Sequence, residues 1–170
     1  MKLLPKQISS EEYVYYSSQS VEELKYGMEQ LSEERRGWKV NPNLCVEFVD
    51  ASNFRVRVNR SPYFYRGFDT DKYESSTVTI EGCLSQSEFN HTQVNFTLRP
   101  SLFFSFSFFF NPLFGIALII SSFINFSYEL RIFGFCALIL GPISVCVFAF
   151  IAKNRLKNAF VDAFTLKPFK

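Results

Sequence analysis

Side-chain catalysis needs a nucleophile beside a base, a cluster of metal ligands or a loop that cradles phosphate, and this chain offers few candidates for any of them. His91 is the sole histidine, which rules out a two-histidine metal site and places the ring in a segment, 87–91, read as a hairpin loop. The four cysteines, Cys45, Cys83, Cys136 and Cys146, contain no C-x-x-C pair. His91 with Cys45 or Cys83 would be a nucleophile–base pairing in principle, but no spacing brings its members together. Asp69-x-Asp71 supplies two carboxylates where a calcium site takes about six to eight oxygens. Neither G-x-G-x-x-G nor G-x-x-x-x-G-K-S/T is present. The chain is therefore expected not to be an enzyme and to have no catalytic, metal or cofactor residue. A small membrane-bound enzyme built around His91 or the cysteines is a rival that convergent polar groups would reveal.

Contact chemistry is better represented. Residues 61–73 place five aromatics among polar and charged side chains, and Tyr63, Tyr65, Arg66 and Phe68 are the types that dominate partner contacts and membrane interfaces. The competing reading makes this stretch an irregular edge strand that closes a sheet. Asn111-Pro112 and Gly141-Pro142 sit inside two long apolar runs, where an amide seeks a partner on a facing helix and small residues let helices approach. Asn111, Pro112, Gly141 and Pro142 are assigned to helix–helix contact, with Ser121, Ser122, Gly134, Ala137 and Ser144 as further small residues. Lys153, Arg155 and Lys157 follow the second run and are assigned to lipid head groups.

Those apolar runs set the architecture. Residues 100–128 are uncharged, and after three residues so are 132–152. A hydrocarbon core of about 30 Å takes roughly 20 helical residues, so both runs are long enough to cross, at about 101–126 and 132–152. No ionisable group lies within either, which argues against ion or proton conduction. Residues 153–170 carry five Lys/Arg against one Asp/Glu, whereas the turn between the crossings has one of each. The positive-inside rule puts this basic tail, and with it the N-terminal part, in the cytoplasm, at an inner (plasma) membrane. The start of the chain has no apolar run of signal-peptide length, so the first crossing is expected to direct insertion. Asn-x-Ser/Thr matches at Asn59, Asn90, Asn95 and Asn125, and a Cys45–Cys83 disulfide, would fit only the reversed orientation.

Residues 1–99 hold twelve Lys/Arg against fourteen Asp/Glu, a slightly acidic balance that argues against nucleic acid. Their patterning predicts one small α+β module. Residues 13–16 read as a strand, and Ser20-Val21-Glu22-Glu23 is a capping box opening a helix whose Val21, Leu24, Met28 and Leu31 share a face. From Leu44 the period becomes two. Alternation predicts strands at 44–48, 54–58, 77–85 and 92–98, with Val46, Phe48, Phe54, Val56, Val78, Ile80, Val94 and Phe96 inward and Arg55, Arg57 and Glu81 outward.

The expected fold is thus a four-to-five-stranded antiparallel sheet with one covering helix (1–99), a transmembrane helical hairpin (100–152) and a basic amphipathic helix (153–170). In that last segment Leu156, Ala159, Phe160, Ala163 and Phe164 form the apolar face, lying on the leaflet or on the module. Its partners are the bilayer and either a protein or a second copy through the hairpin. The expected role is a non-enzymatic accessory or regulatory subunit. A ligand-sensing effector that oligomerises and perturbs the bilayer is the alternative.

Overall fold

A computed structural model describes residues 5–33, 43–59, 78–87 and 91–168 of the 170-residue chain. The chain is α+β. A 3₁₀ turn (Lys6–Ile8) leads into β1 (Glu11–Ser17) and α1 (Val21–Glu33), then β2 (Asn43–Phe48), β3 (Asn53–Asn59), β4 (Val78–Gln86) and β5 (Thr92–Pro100). Two long helices follow, α2 (Leu102–Ile124) and α3 (Tyr128–Ala163), before a two-residue β6 (Lys167–Pro168). The strands form one antiparallel sheet in the order β2-β3-β4-β5-β1-β6.

The capping box forms as its residue types require. Ser20 Oγ accepts from the Glu23 amide at 3.2 Å while the Glu23 carboxylate accepts from the Ser20 amide at 3.0 Å, satisfying two orphan donors at the start of α1. Leu24 and Met28, one turn apart, are buried against the sheet. The alternation in the strands also holds. Val46, Phe54, Val56, Val78, Ile80, Leu84, Val94, Phe96 and Leu98 are buried, whereas Arg55, Arg57 and Glu81 lie on the opposite face, each about a third exposed. Phe48, at the end of β2, is only partly buried, with the Lys25 ammonium 5.0 Å from its ring centroid. Gly82 falls on the inward face between Phe54 and Phe96. An added Cβ would stand 2.6 Å from the Phe54 ring and 2.7 Å from the Asn95 carbonyl, so the missing side chain is what admits the two rings.

Two expectations need correcting. The sheet has six strands rather than four or five, because α3 ends in a Schellman turn that sends the chain back along β1. Thr165, at φ 50°, is the left-handed residue; Leu166 N–H donates to Val161 O at 3.0 Å and Thr165 N–H to Asp162 O at 3.4 Å. Leu166 is thereby buried, and Pro168 and Lys167 pair with Tyr15 and Tyr16. The cover is also two helices, not one. α3 continues past residue 152 without a break, and its last turns lay Leu156, Phe160 and Phe164 on the inward face of the sheet, with Ala159 partly buried and Ala163 exposed. Phe160 stacks on Phe54 (5.7 Å between centroids) and meets Phe96 edge-on (5.3 Å).

α2 and α3 are long and apolar enough to cross a membrane. Their junction is a second Schellman-type turn: Phe126 is left-handed at φ 49°, Ser127 N–H donates to Ser122 O at 3.1 Å, and the Ser127 side chain caps α3 by accepting from Leu130 N–H at 3.3 Å. α2 is capped by Ser101, which accepts from Phe103 N–H at 3.2 Å. Both helices run through their prolines, Pro112 and Pro142.

Candidate functional site

The residues singled out by sequence fall into three places. Tyr63, Tyr65, Arg66 and Phe68, with Asp69 and Asp71, lie outside the described residues. The strands that flank them end together: Val78, the first residue of β4, pairs with Pro100, and Asn59, the last of β3, pairs with Asn43. Pro100 immediately precedes the cap of α2. His91 is exposed after β4, and the four cysteines form no disulfide. Among the described residues no three His, Cys, Asp or Glu side chains gather as metal ligands.

The second place is the seam between α2 and α3. Gly141 lies against Asn111: an added Cβ would stand 2.7 Å from the Asn111 Cβ. Pro112 and Pro142, beside them in sequence, are half-buried. Backbone meets backbone at a residue that sequence reasoning missed. A Cβ on Gly115 would stand 2.7 Å from both the Gly134 carbonyl and the Leu138 amide, and one on Gly134 would stand 2.8 Å from the Gly115 carbonyl. The signal was available, since Gly115 follows Asn111 by four and so shares its helical face. Toward the turn, buried Ser122 donates to Ile119 O at 2.6 Å and accepts from Arg131 Nε at 3.5 Å, while the Arg131 guanidinium lies 4.4 Å from the Phe123 ring centroid.

Because backbone, not a flexible tip, faces Gly115, relief requires helix displacement. Gly115→Ala is expected to destabilise the protein by about 1–3 kcal/mol. Gly27→Ala, mid-α1 with nothing within 4 Å of the new methyl, should instead stabilise by about 1 kcal/mol. Thermal unfolding of the two variants in detergent, followed by circular dichroism, checks the opposite signs.

The third place is the junction of hairpin and sheet, where Lys153 departs from expectation. It was assigned to lipid head groups, yet it is 3% exposed. Its ammonium faces the carbonyls of Lys6 (3.1 Å), Gln7 (3.2 Å) and Ser9 (2.9 Å) and the Glu11 carboxylate (2.6 Å). Three N–H donors thus serve four oxygens. The reason is helical phase: Lys153 is four residues after Ala149, three before Leu156 and seven before Phe160, all buried, so it belongs to the buried stripe and not to the polar face. The 3₁₀ turn points its carbonyls at this position, and buried Ile8 anchors the turn in the core.

Glu11 completes the site. Burial works against its charge, but hydrogen bonds from Lys153 and Tyr13 and the positive charges of Lys153 and Lys6 outweigh it, holding the carboxyl below its ordinary 4.5. The Tyr13 hydroxyl donates to Glu11 at 2.5 Å. Burial, and then that hydrogen bond to a carboxylate, push the phenol up to about 12. Lys157, one turn beyond Lys153, holds its ammonium 5.0 Å from the Tyr13 ring centroid. Arg155 points to the exterior. This constellation has no free nucleophile or open metal position. Its chemistry is that of a clamp binding the N-terminal segment and β1 to α3 where the apolar run ends.

On the opposite face of the sheet, Glu81 accepts from Arg55 at 3.0 Å through one oxygen and contacts Arg99 at 2.7 Å through the other, and Arg57 approaches Glu47 at 3.8 Å. No family model, curated protein or solved structure matches the chain.

Proposed function

We propose that this chain is an integral membrane protein of the inner (plasma) membrane with both termini in the cytoplasm. Its α+β module serves as a non-enzymatic accessory or regulatory platform for a protein partner. The observation that carries the reading is the exposure of the two long helices: only 11% of the most apolar stretch of each is buried. A core helix of a water-soluble domain would be covered, whereas these leave Phe103, Phe106, Leu113, Phe123, Phe133, Leu140 and Phe148 outward. Such a surface is stable against hydrocarbon, which needs no polar partner.

Support for a platform comes from the clamp and from the unbroken α3, which leave no linker between hairpin and sheet. The partner-contact role stays with Tyr63, Tyr65, Arg66 and Phe68, whose flanking strands end beside Pro100, next to the start of α2. Labelling with a membrane-impermeant maleimide joined to affinity capture tests both halves. In intact cells a cysteine replacing Glu129 should label while Cys45 and Cys83 do not, and label from outside on the native pair overturns the orientation. A protein recovered with the wild-type chain from detergent extracts should be lost when Tyr63, Tyr65 and Phe68 are replaced together by Ala in a chain that still folds. Capture unaffected by the triple replacement would exclude this segment as the contact.

A further inference from the structure

Lys153 is withdrawn from the membrane surface, so the question becomes which cations do face out at that level. Arg99 is three residues before Leu102, the first residue of α2 and 86% exposed. At about 3.3 Å per extended residue, Arg99 stands roughly 10 Å from the start of the apolar helix. Head groups add about 5–8 Å to each side of the hydrocarbon, so the Arg99 backbone stands just outside that layer, close enough for its long side chain to reach into it. Arg57 reaches the same level by register: Val56 pairs with Ile80 and Ile80 with Leu98, and Arg57 and Arg99 each lie one residue beyond that row, toward the membrane. Two strand spacings separate them, about 10 Å.

Charge on this face is sorted by row. Beyond Val56 and Leu98 on the membrane side are Arg57 and Arg99, with Cys45 opposite Arg57 and Thr79 opposite Arg99. One row further from the membrane are Glu47, Arg55, Glu81 and Thr97, and Glu12 beside Thr97. The near row therefore carries two cations and no anion, while the far row carries three carboxylates and one cation. Glu81 divides its two oxygens between Arg55 and Arg99, so one carboxylate faces two guanidinium groups and leaves positive charge uncompensated. The Arg99 side chain is 58% exposed, and a guanidinium with five donors has most of them left for a second anion. Thr79 Oγ1 donates to the Arg99 carbonyl at 3.4 Å, which ties the backbone of the two strands together at this row.

We propose that Arg57 and Arg99 form a two-point contact for the phosphates of anionic lipids, with Glu81 and Glu47 holding the guanidinium groups in place until lipid engages them. The inference rests on the membrane reading above. The near row is matched to a negatively charged leaflet, and the carboxylate row is kept one step away from it. An anionic lipid thus fixes the face that the sheet presents to the bilayer, not only the depth of the helices.

The test uses the full chain, purified in detergent and given equal amounts of phosphatidylglycerol and phosphatidylcholine, with retained lipids counted by native mass spectrometry. Wild type should retain phosphatidylglycerol preferentially. Arg57→Gln and Arg99→Gln should each reduce that preference about threefold to fivefold, and Arg99→Lys should keep most of it. Glu81→Gln, which frees the Arg99 guanidinium from its carboxylate, should raise it. Equal retention of the two lipids by wild type, or a preference unmoved by all four substitutions, overturns the proposal. Should a substitution unfold the sheet by circular dichroism, wild type decides alone: its preference must fall as salt is raised, and a salt-independent preference overturns the proposal. Failure of the membrane reading is seen separately, as release of the wild-type chain from pure phosphatidylcholine vesicles by alkaline carbonate. A chain that stays in those vesicles yet shows no anionic preference refutes only the lipid contact.

Discussion

Replacing Lys153 with Met should destabilise the protein by about 3–5 kcal/mol, the usual consequence of removing one partner of a buried charge pair. Met fits the stripe between Ala149 and Leu156, so lost packing contributes little. What is lost is the sole ammonium shared by the carbonyls of Lys6, Gln7 and Ser9 and by Glu11, leaving a partly buried carboxylate to be compensated by Tyr13 and Lys6 alone. Glu11→Gln should cost less, because the ammonium it leaves keeps three backbone carbonyls and the amide oxygen as acceptors. The pH dependence separates the two effects. The Glu11 carboxyl is held below 4.5 in the folded protein, so its contribution is fully present above the unfolded value and is lost as pH falls through the lower folded one. Wild type should therefore lose stability in that acid window, and Glu11→Gln should not lose the same increment. Thermal midpoints in detergent between pH 3 and 7 give both comparisons. A Lys153→Met protein as stable as wild type would show that the clamp contributes nothing.

Phe160→Ala should cost about 3–5 kcal/mol, and it acts on a different part of the molecule. Phe160 is fully buried and is the one α3 ring in contact with both strands of the aromatic cluster, Phe54 on β3 and Phe96 on β5, besides Phe164 at 5.3 Å on its own helix. Truncation leaves a cavity that these rings cannot close, because Gly82 and the Asn95 carbonyl fix the floor beneath Phe54. The end of α3 should then separate from the sheet while the seam at Gly115 and Gly134 keeps the hairpin together. Trypsin cleavage at Arg155 and Lys157 should accelerate by an order of magnitude or more, with the hairpin fragment recovered intact. Phe148→Ala, on the same helix but 66% exposed, should leave that rate unchanged in detergent.

Residues 44–58 and 78–98 show why much of the sheet was legible from sequence. An antiparallel strand with one covered face must alternate, so the inward set Val46, Phe54, Val56, Ile80, Val94 and Phe96 follows from a period of two without knowledge of the partner strands. The Ser20–Glu23 box was legible for the same reason, since both hydrogen bonds span three residues of one chain segment. β6 was not, because two residues have no period. It exists because Thr165 accepts a left-handed conformation, at a cost of about 1–2 kcal/mol for an L-residue, that returns Leu166 to the core. Gly115 was legible only as a position on the Asn111 face, four residues on; that another backbone touches it there is decided by the packing of α3.

Length and apolarity alone determined that two helices here can cross a membrane, since hydropathy is a property of each segment by itself. Which cations are buried against protein and which are exposed was decided only by the fold. Lys153 and Arg155 are two residues apart, yet one is sealed against carbonyls from residues 6, 7 and 9 and the other is on the surface. A backbone carbonyl is the same group whatever side chain it carries. A cage built from three of them, more than 140 residues away in the chain, leaves no mark in the sequence and appears only when the 3₁₀ turn is folded against α3.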